Sequence, residues 1–289
     1  MNRNLDKDVL VSISCITYNH VQYIRQCLDG FLMQKTNFAF EILIHDDCST
    51  DGTTEVIKEY EAKYPEIIKP IYEEENQYQQ GKSVGSAVWN YPRAKGKYIA
   101  LCEGDDYWID PLKLQKQVDF MESHHDYSLC FHDYEQLWPD GNRILISKKV
   151  SHPLNCSIRD AILSGGGYMA TNSMLFRTQH IENYPLWATI GAGDFPLMLI
   201  LFHLGKVAHL NIVGSVYRVN SVGSWSERMN KISFLLQHVR KTDRMLRNFN
   251  NWSNKKYYKA ILLKRIKNQL INIKLIFKIY YRKLSNCLK

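Results

Sequence analysis

The 289-residue chain has seven cysteines but no Cys-x-x-Cys pair, and from residue 228 onward it has no proline, no glycine and a single acidic residue. No stretch approaches the roughly 18 apolar residues of a spanning helix, which excludes a transmembrane segment of that kind. The scattered Cys15, Cys27, Cys48, Cys102, Cys130, Cys156 and Cys287 give no even disulfide framework. Several lie inside apolar runs, where cysteine behaves as a small buried hydrophobe, and this points to a reducing compartment. The first residues, Met1 to Asp8, are polar and show no signal peptide, so the expected location is the cytoplasm.

What is present is ordinary in bulk and uneven in distribution. Apolar content of 45% and charged content of 23% suit a globular protein. The 18 tyrosines and 6 tryptophans suit a protein that grips rings, although most aromatics fill core and surface. The net charge of +8 divides into −8 over residues 1–227 and +16 over residues 228–289, where Asp243 is the one acidic residue. An acidic body with a basic tail implies two tasks.

Periodicity supplies the elements. Residues 9–16 alternate and are β-rich, a first strand. Val21, Ile24, Leu28, Phe31 and Leu32 recur at helical spacing. Strands follow at 40–44, 67–72 and 97–102, with helices at 51–60 (Asp51 as N-cap) and 86–94 between them. The polar stretch 73–83 is a loop. Asp110-Pro111 opens a helix carrying Leu114, Val118 and Met121. This alternation predicts an α/β fold with a mostly parallel central sheet. Later, 127–132, 144–146, 173–176 and 207–217 read as strands, Gly165-Gly166-Gly167 as a loop, and 195–204 as an apolar helix.

Two acidic clusters end apolar runs. The first is Ile44-His45-Asp46-Asp47-Cys48-Ser49-Thr50-Asp51-Gly52-Thr53, and the second Leu101-Cys102-Glu103-Gly104-Asp105-Asp106. Strand C-termini are where open α/β sheets bind ligands. Adjacent carboxylates repel unless a positive charge lies near them. A hard divalent cation takes oxygen ligands and bridges phosphates, needing only one or two protein carboxylates. Glu103, Asp105 and Asp106 can supply these; an acidic turn capping the next helix is the plainer reading. Asp46 and Asp47 can accept hydrogen bonds from a ring N–H or a ribose hydroxyl, or merely cap locally. Thr17 and Tyr18 lie beside that pair if their strands are neighbours. His124, His125, His132 and Asp133 lack metal-ligand spacing, and Lys82 and Arg93 read as solvated cations with a weak claim on phosphate.

Together with Val11-Ser12-Ile13-Ser14-Cys15-Ile16-Thr17-Tyr18-Asn19, these clusters resemble the inverting family 2 glycosyltransferases of the GT-A fold, a Rossmann-like nucleotide-binding fold. The resemblance spans the first ~110 residues with three ordered motifs. It implies a GT-A domain over 1–227, with a nucleotide-sugar-binding half at 1–110 and an acceptor-binding half at 111–227, followed by a basic amphipathic helical region at 228–289. It implies a nucleotide-diphosphate donor, a UDP-sugar for preference, bound Mg²⁺ or Mn²⁺, and transfer with inversion to a glycan or lipid-linked hydroxyl. Carried over, Thr17, Tyr18, Asn19 and Asp47 form the base side, Asp105 the ribose- and metal-side carboxylate, and Asp106 the principal metal ligand. Asp194, in Gly191-Ala192-Gly193-Asp194, is the general base. Arg218 neutralises the departing diphosphate from a segment, 217–226, that closes over the donor. Glu103, His45, Cys48 and Asn220 stand where the family more often has Asp, an aliphatic residue, Gly and His.

Rival readings are a Mg²⁺-dependent phosphoryl-transfer enzyme, which wants a strand-end Lys not found here, and a non-catalytic nucleotide-sugar-binding protein, against which Asp105, Asp106 and Asp194 together argue. Ile261, Leu262, Ile266, Leu270, Ile273 and Phe277 line one face of a helix at 257–284, interspersed with lysines. That pattern fits an anionic membrane surface better than nucleic acid, and places the protein on the inner face of the cell membrane. Packing of the stripe on the catalytic domain or a second subunit is the alternative.

Overall fold

The computed structural model describes residues 8–82, 85–147, 154–189, 193–221 and 223–287, with side chains through residue 276. Gly191 and Ala192 of the loop expected before Asp194, Val222 of the expected closing segment, and the side chains of Phe277, Lys278 and Arg282 lie outside that description, as does most of the polar start.

Strand β1 (Val9–Thr17), helix α1 (Ile24–Leu32), β2 (Ala39–Asp46), α2 (Thr53–Lys63) and β3 (Ile68–Tyr72) alternate as the periodicity predicts. A short α3 (Ser86–Trp89) and a 3₁₀ turn at Tyr91–Arg93 lead to β4 (Tyr98–Leu101), then β5 (Tyr107–Trp108), α4 (Lys113–Ser123), β6 (Tyr127–Leu137) and β7 (Arg143–Ile146). Next come α5 (Ile158–Ser164), β8 (Leu175–Arg177), α6 (Asp194–Leu204), β9 (Lys206–Arg218), α7 (Trp225–Met229), α8 (Ile232–Trp252) and α9 (Tyr258–Cys287). Among the described residues the strands form one sheet in the order β3-β2-β1-β4-β8-β6-β9-β5, with β7 paired to β6. The β3-β2-β1-β4 portion is wholly parallel. The antiparallel β8 joins it to a second portion, in which β6 and β9 are again parallel.

The pleat of β4 sorts its side chains between two cores. Tyr98, Ala100 and Cys102 face one cluster with residues of α1, α2 and α4. Ile99 and Leu101 face the other, with residues of α5, α6 and α8. Alternation of this kind on a strand buried on both faces gives helix–sheet–helix layers. Helix α6 is apolar all round, with Phe195 to Phe202 buried, as befits a helix inside the core. The basic tail is partly core: Met245, Leu246 and Phe249 of α8 and Ala260 and Ile261 of α9 belong to the second cluster. Tyr257 stacks on Phe249 at 5.7 Å and 3°.

Several boundaries differ from expectation for local reasons. Gly52, at φ 102°, takes the N-cap place of α2 expected for Asp51. The Asp51 carboxylate still accepts the N–H groups of Thr53 and Val21, tying α2 to the loop before α1. Helix α4 begins at Lys113, because Asp110 first closes a turn by accepting the Leu112 N–H through its side chain and the Lys113 N–H through its carbonyl. The three glycines expected as loop form a 3₁₀ turn, Gly165–Tyr168. Arg93 is neither solvated nor free for phosphate; it donates to the carbonyls of Lys69 and Ile44 and to Asn90 Oδ1.

Lys113 is fully buried, its ammonium 3.8 Å from the Trp108 ring centroid and 2.8 Å from Gln117 Oε1. Burial pulls its pKa down to about 7. Below that pH the folded state carries a buried charge; above it the folded state loses a proton that the unfolded chain keeps to its ordinary value near 10.5, so this group's contribution to stability rises with pH. Methionine fits beside an indole and carries no charge. Urea midpoints should therefore show the Lys113→Met variant gaining most on the parent at pH 6 and less at pH 9. A gap independent of pH would show that Lys113 does not titrate in this window.

Candidate functional site

Parallel pairing brings the ends of β1, β2 and β4 to one edge: Thr17 lies opposite Asp46, and Ser14 opposite Leu101. The first two loops are stitched together. Asn19, at φ 55°, accepts the Thr50 N–H on its side chain and donates its own N–H to Ser49 Oγ. Cys48 holds φ 62°, a left-handed conformation that explains why glycine is usual there. Asp46 is buried and accepts from the hydroxyls of Ser49 and Thr54. The Asp47 carboxylate is engaged by backbone: Gln77 N–H at 2.7 Å and Tyr78 N–H at 3.2 Å. Asp47 thus pins the loop after β3, while Tyr18 stands 37% exposed at the edge of the same recess. His45 is buried, stacked on Trp89 at 4.6 Å, and desolvation lowers its pKa to about 4, so it is neutral.

The acidic turn after β4 is packed against Thr17. The Gly104 N–H donates to the Ile16 carbonyl, and a Cβ at Gly104 would lie 2.6 Å from Thr17 Oγ1. Glu103, Asp105 and Asp106 each place an oxygen within 4.8 Å of the others. Glu103 and Asp105 are half-buried, and Asp106 is buried. Burial, then the charges of Asp105 and Asp194, raise Glu103 to about 8. Burial and Asp105 raise Asp106 well above the carboxylate range. Three oxygens compressed this far, with ionisation opposed, match what a divalent cation relieves.

The far half of the molecule holds this turn. Asp106 Oδ1 accepts the Arg218 N–H at 2.8 Å, and Oδ2 accepts the Asn172 amide at 3.0 Å. Asn172 is fully buried; its other bonds reach the Val216 carbonyl, Ser215 Oγ and, through its own carbonyl, the Trp108 indole. The Arg218 guanidinium donates to the Asp105 carbonyl and to Gln26 Oε1, and lies 4.8 and 4.5 Å from the rings of Tyr23 and Tyr107. Ser221 Oγ donates to Asp105 Oδ2 at 3.1 Å. Asn220, at φ 56°, bends the chain, and Arg228 of α7 reaches back to Tyr78 Oη, so the segment crosses to the loop that Asp47 pins.

Asp194 is the first residue of α6 and sits over the glycine turn, 3.7 Å from where a Gly166 Cβ would be. Burial raises its pKa, while the Phe195 N–H bond at 2.8 Å opposes that shift. Its charge is felt at Glu103, and Tyr91 feels both carboxylates. Asp194 is therefore near enough to the acidic turn for its charge to act on Glu103. Asp133, by contrast, is buried against His209 at 2.7 Å, away from this cluster. Sequence reasoning missed Asn172 and assigned no individual role to Gly104 or Ser221. A lone Asn or Ser carries no signal, and Gly104 had one only in its place between acidic residues.

A profile of the family described as Glycosyl transferase family 2 matches residues 12–183. An uncharacterized protein of Mycobacterium tuberculosis is 39% identical over 221 residues, 74% of this chain, and the chain spans 60% of that relative's length. The Escherichia coli protein WfaP, named as a UDP-Glc:alpha-D-GlcNAc-diphosphoundecaprenol beta-1,3-glucosyltransferase, is 28% identical over 73% of this chain and 78% of its own. The crystal structure of residues 1–349 of TarS from S. aureus superposes with a TM-score of 0.61 at 16% identity, over 90% of this chain and 71% of that one. The sheet is that of the GT-A fold.

The Gly104→Ala substitution should displace Thr17 and the acidic turn together, since a backbone-anchored strand end cannot yield 1 Å cheaply. Overpacking of this kind costs ~1–3 kcal/mol. Thermal unfolding should show that loss, and donor affinity measured by calorimetry should fall with it. An alanine variant with parental affinity would mean that the turn's close approach to Thr17 is dispensable.

Proposed function

The chain belongs to glycosyl transferase family 2, and from that premise we propose that it moves a sugar from a nucleoside-diphosphate donor, a UDP-sugar, to a hydroxyl of a glycan or lipid-linked acceptor, with inversion. The observation that carries this reading is the trio of carboxylates after β4, their oxygens within 4.8 Å of one another, at the sheet edge where β1 and β2 also end. The base and ribose lie over the ends of β1 and β2, against Thr17, Tyr18 and the loop that Asp47 and Asn19 brace. Asp105 and Asp106 would hold the cation, Mg²⁺ or Mn²⁺, with Glu103 beside them. When bound, that ion neutralises diphosphate charge.

The acceptor oxygen forms its bond to the anomeric carbon as the bond from that carbon to the diphosphate oxygen breaks. The hydroxyl proton passes to the Asp194 carboxylate, and the nucleoside diphosphate leaves. A half-buried carboxylate with a raised pKa is a better proton acceptor than a solvated one. Arg218 acts from behind, its guanidinium clamped between Tyr23 and Tyr107 and its N–H aligning Asp106. Asp106 keeps one lone pair on each oxygen after accepting from Arg218 and Asn172, enough to serve an ion.

Transfer should be lost in EDTA. In a panel of UDP-sugars, Asp194→Asn should lower kcat ~10²–10⁴-fold and leave donor affinity nearly unchanged. In the parent, burial moves the acid limb of kcat/KM upward from the ordinary aspartate range, because the base works only when ionised; the variant should lack that limb. Normal turnover by Asp194→Asn would send the base role elsewhere.

The partner surface for α9 is an anionic membrane. Leu262, Ile266, Leu270 and Ile273 are exposed, opposite the buried Ile261 and Asn268, and Lys267 and Lys274 flank them. No helix among the described residues is long and apolar enough to cross a membrane. Each cation near such a surface contributes on the order of 1 kcal/mol, fading with salt. The triple variant Leu262→Gln/Ile266→Gln/Leu270→Gln should co-sediment poorly with anionic vesicles at low salt. If the parent chain also stays in the supernatant, the stripe serves a protein contact instead.

A further inference from the structure

Helices α8 and α9 enclose a cleft of about 210 Å³ lined in part by Arg247, Asn250, Tyr258, Ile261, Leu262 and Arg265. Beneath it lies Asp243, the only acidic residue from 228 onward, with a side chain 8% exposed. It accepts from Arg247 Nη1 and, at 2.7 Å, from Arg265 Nε. One carboxylate between two guanidiniums leaves the cluster at net +1. Each guanidinium has five N–H groups. One per arginine is spent on Asp243, and the others make no hydrogen bond among the described residues. Asn250 Oδ1 in the same wall is buried without a partner, and its amide can present either end to a ligand.

We propose that this cleft binds the phosphate group of a membrane lipid. Two fixed guanidiniums suit a phosphate, whose several oxygens accept paired N–H bonds. The volume is below that of pockets holding whole drug-sized ligands and fits a head group. Leu262 lines both the cleft and the exposed stripe of α9, so a phosphate seated here has its acyl chains beside Leu262 and Ile266. The same helix also reaches toward Asp194. Lys264 of α9 donates to the Leu163 carbonyl at 3.0 Å, just before the glycine turn that lies against Asp194. This inference rests on the membrane reading of α9 and adds a built head-group site to it.

The test uses the full chain and two kinds of phosphatidylcholine vesicle matched in surface charge, one doped with phosphatidic acid and one with phosphatidylglycerol. The parent should prefer the exposed phosphate of phosphatidic acid about tenfold. Arg247→Gln/Arg265→Gln should bring that ratio near one, and Lys267→Gln/Lys274→Gln should weaken both kinds of binding while keeping it. Because Asp243 loses donors in the first pair, Arg265→Lys serves as a second variant: it retains charge and fold, checked by thermal unfolding, and should also lose the preference. Binding of the parent to both vesicles without preference overturns the cleft and leaves the membrane reading standing. Failure to bind any anionic vesicle overturns both. Calorimetry with inorganic phosphate and with a soluble short-chain phosphatidic acid separates the two sources of phosphate; equal affinity for both would make the cleft a free-phosphate site and overturn the lipid assignment.

Discussion

Crowding three carboxylates, one of them buried, into a single turn is the constraint around which this protein is arranged. An ionised carboxylate is expensive out of water unless donors meet it. At the end of β4 the donors come from the far half of the chain: the Arg218 N–H, the Asn172 amide and the Ser221 hydroxyl. The nearest cation, Arg218, is itself immobilised between two tyrosine rings and bonded to the Asp105 carbonyl. The acidic turn is thus held, and two of its carboxyls stay hard to ionise. Preorganisation of this kind lets an electrostatic site act without reorganising at the moment of reaction.

The same constraint explains why the sheet is built in two portions. The parallel β3-β2-β1-β4 array delivers strand ends to one edge, but it supplies few donors for them. Strand β9, running parallel to β6 and beside β5, brings Arg218 and Ser221 to that edge, and β8 brings in the turn bearing Asn172. Helix α6 then presents Asp194 from the second core. The tail helices are not an appendage to this arrangement, because α8 and the first turns of α9 complete that core. The outer face of α9 is left apolar and basic at once.

The parallel half was legible in the sequence because its signals are local. Alternating or apolar runs ended by turn residues gave β1 through β4, and the order of three motifs gave the fold. Boundaries at Gly52 and Lys113 slipped by one to three residues, because an Asp can close a turn before the helix that it was expected to cap. What sequence could not show was long-range pairing. Asn172 has four partners, Asp106, Trp108, Ser215 and Val216, all distant in the chain, and nothing in Ala170-Thr171-Asn172-Ser173 announces them. Arg93 read as a solvated cation; three oxygen acceptors, two of them strand carbonyls, hold its guanidinium instead.

Asp47 has a different set of partners from the one its simplest reading suggests. Its position at the end of β2 suggested direct contact with a base. In the structure both of its oxygens are held by successive backbone N–H groups, at Gln77 and Tyr78, and Asn76 closes on the Asp47 carbonyl at 3.0 Å. The geometry is that of an anion in a backbone nest. The loop so fixed carries Tyr78, whose hydroxyl meets Arg228 from the segment that follows β9. A charge at one strand end therefore sets the position of a loop, and that loop in turn receives the segment whose other end, at Arg218 and Ser221, holds the acidic turn. The residues after β9 thus meet both acidic clusters, Ser221 bonding Asp105 directly and Arg228 bonding the loop that Asp47 holds.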